Sequence, residues 1–304
     1  MYKLPKNSTK STKSIASITS VVLCVLILLC LLCQFVLAAE STITDKTDIK
    51  DIKDERKTVS LPVIMYHDII KNTVRHDIYT ITPWDFEEDL KWLKNNGYQT
   101  VSINEIIDYV ENGAVLPEKP IMLTFDDGHY NNIIYAEPIL EKYGMKGIIF
   151  ITGEFCDKSV EEDAKNPNYS YIFWDEQRRM IESGIWDIEN HTYCLHRTGN
   201  GRNGVAKLWN ENNDAYHVRL SDDFQRLTDK IYDSCGVRPR AFAYPFGVLS
   251  DTAEEVLGEL DYKASFTSYS GTTELKVGAP ESLRLIHRYL RTPKNSVQDL
   301  LNLQ

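Results

Sequence analysis

From Leu61 onward, short apolar runs alternate with helical patterns, and that alternation narrows the fold more than any other feature. LPVIMYH reads as a strand. Thr82-Pro83 caps and opens a helix in which Phe86, Leu90 and Leu93 share a face, and Gly97 closes it. Tyr98 to Ser102 is a short strand, and Ser102-Ile103-Asn104-Glu105 is a capping box for a helix ending at Gly113. PIMLTF, KGIIFITG, WDIENH and RAFAYPFG read as further strands, with KASFTS and LRLIHR as late ones. Between them, helices are predicted within 131–143, 174–183, 221–234 and 250–260, and Ser296 caps a last short one. Strands alternating with helices imply a parallel sheet. The prediction is an α/β fold: an irregular or incomplete (β/α) barrel of about seven to eight parallel strands. A doubly wound open sheet is the competing arrangement.

The first 39 residues differ from the rest. Lys3, Lys6, Lys10 and Lys13 precede an almost wholly apolar run from Ile15 to Ala39. A basic head before such a run reads as a signal anchor or a secretion signal. The run is long enough to span a bilayer, which favours an anchor, whereas Val36-Leu37-Ala38 resembles a cleavage site. The expectation is a membrane partner through this segment with the domain outside the cytoplasm, or secretion if the site is cut. Residues 40–60 are densely charged and read as a linker, and 61–304 as the working domain. Removing the four head lysines from 34 basic residues leaves 30 against 44 acids, a net charge of −14. That argues against nucleic acid or anionic lipid as the main partner. Cys156, Cys194 and Cys235 are too few and too scattered for a disulfide framework, and no CxxC pair among these three supplies a thiolate zinc site.

Working residues of such barrels gather at the C-terminal ends of the strands. Here the predicted strands end in His67, in Asp126-Asp127, in His191, and in Tyr244 to Gly247. All would face one mouth. Neighbours on a regular strand point to opposite faces, so two adjacent aspartates share a mouth only where the strand turns, and Gly128 permits the turn. One carboxylate then holds a cation while the other stays ionised as a base; the blander alternative is a helix cap beside a solvated loop residue. HTYCLH adds His191 and His196, which on a helix would point about 140° apart and therefore belong on a turn. Two imidazoles and one carboxylate suit zinc-like ions and leave positions open for water and substrate.

These segments carry a family resemblance over about four-fifths of the chain, from Leu61 to its end. TFDDG resembles the first motif of the polysaccharide deacetylases, the NodB-homology domain of the carbohydrate esterases. HTYCLH resembles their metal-binding histidine motif in the longer-spaced form of the poly-N-acetylglucosamine deacetylase branch, AYPFG their third motif, and LPVIMYHDI that branch's opening strand. The resemblance implies that Asp127, His191 and His196 bind a divalent metal, commonly Zn2+, with Co2+, Ni2+ or Fe2+ as alternatives. It implies Asp126 as general base, a backbone N–H at Phe246 for the oxyanion, and a histidine acid. By this resemblance the acid is His67, with His287 of Leu285-Ile286-His287 as the second candidate. Tyr193, Tyr244 and Phe246 are candidate walls of a sugar groove, although core packing is the commoner use of such rings. His129 lies close enough to the aspartates to meet substrate.

One departure stands out. Many relatives begin the third motif with an arginine that orients the base, and here that position is Ala243. Arg288 and Arg284 are the candidates to take its place. The implied activity is N-deacetylation of an N-acetylglucosamine-type glycan. The alternatives are an O-acetyl esterase on xylan-type glycans and a glycan-binding protein with a degenerate site.

Overall fold

The structure, a computed structural model, describes residues 58–71, 77–162 and 165–302. The apolar segment and most of the charged linker lie outside the described residues. Among those described, no helix is long and apolar enough to cross a membrane. Cys156, Cys194 and Cys235 are free, as their spacing predicts.

Seven parallel strands form the core: β1 Val63–Tyr66, β2 Pro120–Phe125, β3 Gly147–Ile151, β4 Trp186–Asn190, β5 Ala241–Ala243, β6 Ala264–Phe266 and β7 Tyr289–Leu290. Their spatial order is β6-β5-β4-β3-β2-β1-β7, so neighbours in sequence are neighbours in space except at the seam. A short strand, Gln99–Thr100, pairs with β2 off this path. At the seam, Ile286 bridges to Phe266 of β6, and β7 pairs with β1. The curled sheet with its helices is the incomplete (β/α) barrel expected from sequence.

Helices α1 Pro83–Asn95, α2 Ile103–Asn112, α3 Glu137–Tyr143, α4 Gly153–Glu162, α5 Trp174–Glu182, α6 Asn213–Cys235, α7 Asp251–Glu259 and α8 Val297–Leu301 fill the connections. Thr82, Ser102 and Ser296 each close a reciprocal capping box, with Asp85, Glu105 and Asp299. Strand alternation divides the core. Along β3, Ile148 and Phe150 join Met122, Phe266 and Ile286 in one cluster, while Ile149 and Ile151 join Tyr66, Phe125 and helix residues in another.

Several boundaries move. The described domain starts at Thr58, because Thr58–Leu61 pairs antiparallel with Thr273–Lys276 and buries Leu61 and Leu275; the linker expected to run to residue 60 therefore ends earlier. KGIIFITG stops as a strand at Ile151, and Gly153 opens α4, which the charged sequence EFCDKSVEE concealed. Helix α6 begins at Asn213, eight residues before its predicted start, with Asn212 as its cap. RAFAYPFG is a strand only at Ala241–Ala243, since Pro245–Gly247 turns and Phe246 takes φ 58°. LRLIHR is not a continuous strand, because Leu285 takes φ 54° and only Ile286 bridges before β7.

Candidate active site

The strand ends meet in a cavity of about 400 Å3 lined by His67, Asp126, Asp127, His129, His191, His196, Tyr244, Phe246 and Arg288, among others. Asp126 extends the ladder of β2, its N–H donating to Tyr66 O at 3.0 Å, and His191 extends β4, donating to Ile151 O at 3.0 Å. Immediately after them the chain turns. Asp127 has φ 71°, Thr192 φ 74° and Phe246 φ 58°. Left-handed backbone costs a non-glycine residue about 1–3 kcal/mol and clusters at functional sites. Gly128 completes the first turn at φ 74°, and a Cβ there would lie 3.0 Å from Ile151.

This turn separates the two aspartates. Asp126 points inward, is nearly buried and receives a two-pronged ion pair from Arg288, Nη1 to Oδ1 at 2.6 Å and Nη2 to Oδ2 at 2.8 Å. Burial works against its charge, yet Arg288, with His191 and His67 nearby, holds the carboxyl below its ordinary value. Arg288 is itself fully buried, donates through Nε to Thr267 O, and lies over the Phe150 ring at 5.6 Å. Ala243 offers Asp126 no such partner, and Arg288 is the arginine that reaches it. Arg284 instead meets Glu254 and the carbonyl of Tyr262.

Asp127 faces the histidines. His196 Nε2 lies 3.0 Å and His191 Nε2 3.5 Å from Asp127 Oδ1. Burial opposes the charge of Asp127, but His129, His191 and His196 together hold its carboxyl well below the usual range. His191 Nδ1 lies 2.7 Å from Ala243 O. A carbonyl only accepts, so Nδ1 carries the proton and Nε2 offers its lone pair to the site. Asp127 Oδ1 is buried without a hydrogen bond of good geometry, although both Nε2 atoms are close. One ligand atom from each of the three residues falls within 4.8 Å of the others. An orphaned carboxylate oxygen converging with two imidazole nitrogens fits a divalent metal of the zinc class.

Of the two candidate acids, the cavity includes His67 and not His287. His67 follows β1, and its Nδ1 is buried without a hydrogen-bond partner among the described residues. Burial lowers its pKa from the ordinary histidine value, against the pull of Asp126 and Asp127. His287 precedes Arg288, and with Arg288 turned inward its neighbour points away, beside Tyr269 and Gly271. Tyr193 is also outside the cavity. Its hydroxyl meets Asp157, Arg226 stacks on its ring at 3.7 Å, and Gly153 packs so closely that a Cβ would lie 2.3 Å from the ring. Tyr244 borders the cavity, but its ring is buried and its hydroxyl donates to Glu254 at 2.7 Å. Phe246 alone of the three is an exposed ring at the mouth, 4.3 Å from the His196 ring. Sequence reasoning missed Asp68, Asp77 and Tyr79 on the cavity wall. Asp68 sits beside His67 in the YHD stretch, the one local signal available for it.

A family model described as Polysaccharide deacetylase matches residues 113–265. The chain is 26% identical over 228 residues to the poly-beta-1,6-N-acetyl-D-glucosamine N-deacetylase of Escherichia coli K12, covering 68% of this chain and 34% of that protein. It is 26% identical over 190 residues to the protein of the same name from Staphylococcus aureus, covering 62% of this chain and 61% of that one. The chain thus spans about a third and about three-fifths of these relatives' lengths. A solved structure of a de-N-acetylase from Aggregatibacter actinomycetemcomitans superposes with a TM-score of 0.68 at 27% identity, covering 81% of this chain and all of that one. With its barrel, its Asp126-Asp127 turn and its paired histidines, the chain belongs to the polysaccharide deacetylase family.

Proposed function

We propose that the chain is an extracytoplasmic, metal-dependent N-deacetylase that hydrolyses the N-acetyl groups of an N-acetylglucosamine-type glycan to acetate and free amine. The observation that carries this reading is the division of labour between adjacent carboxylates: Asp126 locked by Arg288, Asp127 turned to His191 and His196. The relatives' names supply the substrate class, a β-1,6-linked N-acetylglucosamine polymer. The location rests on the basic head and apolar segment of the sequence.

A metal held by Asp127, His191 and His196 supplies Lewis acidity towards an amide carbonyl and towards its attacking water. Around it, the chain's own groups handle protons and orientation. Asp126, kept ionised by Arg288, takes the proton of the attacking water. His67, on the neighbouring strand end, donates to the leaving amine from its protonated form, which Asp126 and Asp127 favour against the effect of burial. Phe246 offers a ring face to the sugar. The Ala243 gap that would suit a binding-only protein is answered by Arg288, which weighs against a degenerate site.

Acetate release from β-1,6-linked N-acetylglucosamine oligomers, peptidoglycan and acetylated xylan tests the proposal. Release from an N-acetyl substrate supports it. Release from xylan alone would make the chain an O-acetyl esterase.

A further inference from the structure

Asp127 presents two oxygens, and its surroundings treat them differently. Oδ1 faces His196 and His191, at 3.0 and 3.5 Å. Oδ2 lies 3.5 Å from His129 Nε2. The other nitrogen of that ring, Nδ1, lies 3.3 Å from Asp68 Oδ1. Asp68 is itself placed: Asn131 Nδ2 donates to its Oδ1 at 2.7 Å, while Asn131 Oδ1 accepts from the Ile69 N–H at 3.0 Å. The plane of the His129 ring is set by Tyr171, stacked at 5.1 Å and 27°, and the backbones of the two residues bridge. Side-chain exposure is low along the chain of contacts, 8% at Asp68, 11% at His129 and 16% at Asp127.

The torsion that orients a carboxylate is broad and nearly two-fold, so nothing intrinsic to Asp127 selects one oxygen over the other. The turn at Asp127-Gly128 fixes the backbone and leaves that torsion open. A ring anchored on one side and facing Oδ2 on the other removes the freedom. Groups of this kind, one step out from metal ligands, orient them and tune affinity. We propose that His129 is a positioning residue: anchored by Asp68 and Tyr171, it occupies Oδ2 of Asp127 and commits Oδ1 to the cluster with His191 and His196. This rests on reading Asp127, His191 and His196 as metal ligands.

The test is zinc affinity of the full-length protein, by competition with a chromogenic chelator, alongside melting of the metal-free protein. His129→Ala is expected to weaken zinc binding about 10- to 100-fold. Asp68→Asn, which touches no ligand, is expected to weaken it in the same direction. His129→Gln, which keeps a donor towards Oδ2, regains part of the loss. Because Asp68 and His129 act as one unit, the Asp68→Asn/His129→Ala double variant should bind no more than about threefold worse than His129→Ala. Wild-type affinity in both single variants would overturn the proposal, and so would fully additive losses in the double one. Should His129→Ala not fold, Asp68→Asn alone decides by the same readout. A wild-type protein that binds no zinc would overturn the metal reading beneath it, a distinct result.

Discussion

Two neighbouring carboxylates in this chain have opposite partners. Asp126 is fixed by a guanidinium and Asp127 by imidazoles, so replacing each should break a different property. His191→Ala is expected to lose both bound zinc and activity, as read by metal content and acetate release, since its Nε2 is one of three converging donors. His67→Ala is expected to keep zinc while losing about 10²–10⁴-fold in kcat, the ordinary worth of a positioned proton donor. His287→Ala should change kcat little, because its ring is turned from the cavity. At this scale the sequence was informative where chemistry is local. TFDDG and HTYCLH each put their functional residues within a few positions of one another. It was uninformative where a side chain's direction depends on a distant neighbour. Tyr193 looked like a groove wall, and it packs under Gly153 and Arg226 instead.

The elements set those directions. The site is assembled from strand ends, and Asp126 is oriented from the seam, where the chain passes from Ile286 to β7. Arg288→Lys keeps a cation but loses the fork that binds both oxygens of Asp126. With the two hydrogen bonds of the fork lost, burial pushes the Asp126 carboxyl up. The acid limb of the pH profile of kcat/KM should therefore move to higher pH, with zinc content unchanged. Arg288→Ala leaves a buried carboxylate unpaired and should cost about 3–5 kcal/mol in denaturant unfolding. Gly153→Ala drives a Cβ against the Tyr193 ring and should cost about 1–3 kcal/mol. Much of this scale was legible: the capping box at Ser102, the cap at Ser296 and the cores of the apolar strands appear where their residues place them, although several strand ends do not. The choice between Arg288 and Arg284 was not. It depends on the positive φ at Leu285 and on which face of the seam turns inward, and neither is written in local spacing.

For the whole molecule, the buried Arg288–Asp126 pair ties the last strand to the second, 162 residues apart in sequence. Asp126 has a folded pKa below its unfolded one. Its stabilisation is therefore fully present above the unfolded value of about 3.9 and is lost as pH falls through the lower, folded value. Asp126→Asn should melt below wild type at pH 7, and the gap should narrow as pH drops under about 4. The alternation of strands and helices made the barrel legible from sequence, whereas the seam required the assembled sheet.

The central claim is that Asp126 and Asp127 do different work within one turn. The measurement is zinc content and acetate release of Asp126→Asn beside wild type, on β-1,6-linked N-acetylglucosamine oligomers, before and after chelation and zinc restoration. The account predicts one zinc per chain in both proteins, chelator-sensitive acetate from wild type, and a loss of about 10²–10⁴-fold in the variant. An Asp126→Asn protein that keeps its zinc and releases acetate at the wild-type rate would contradict it.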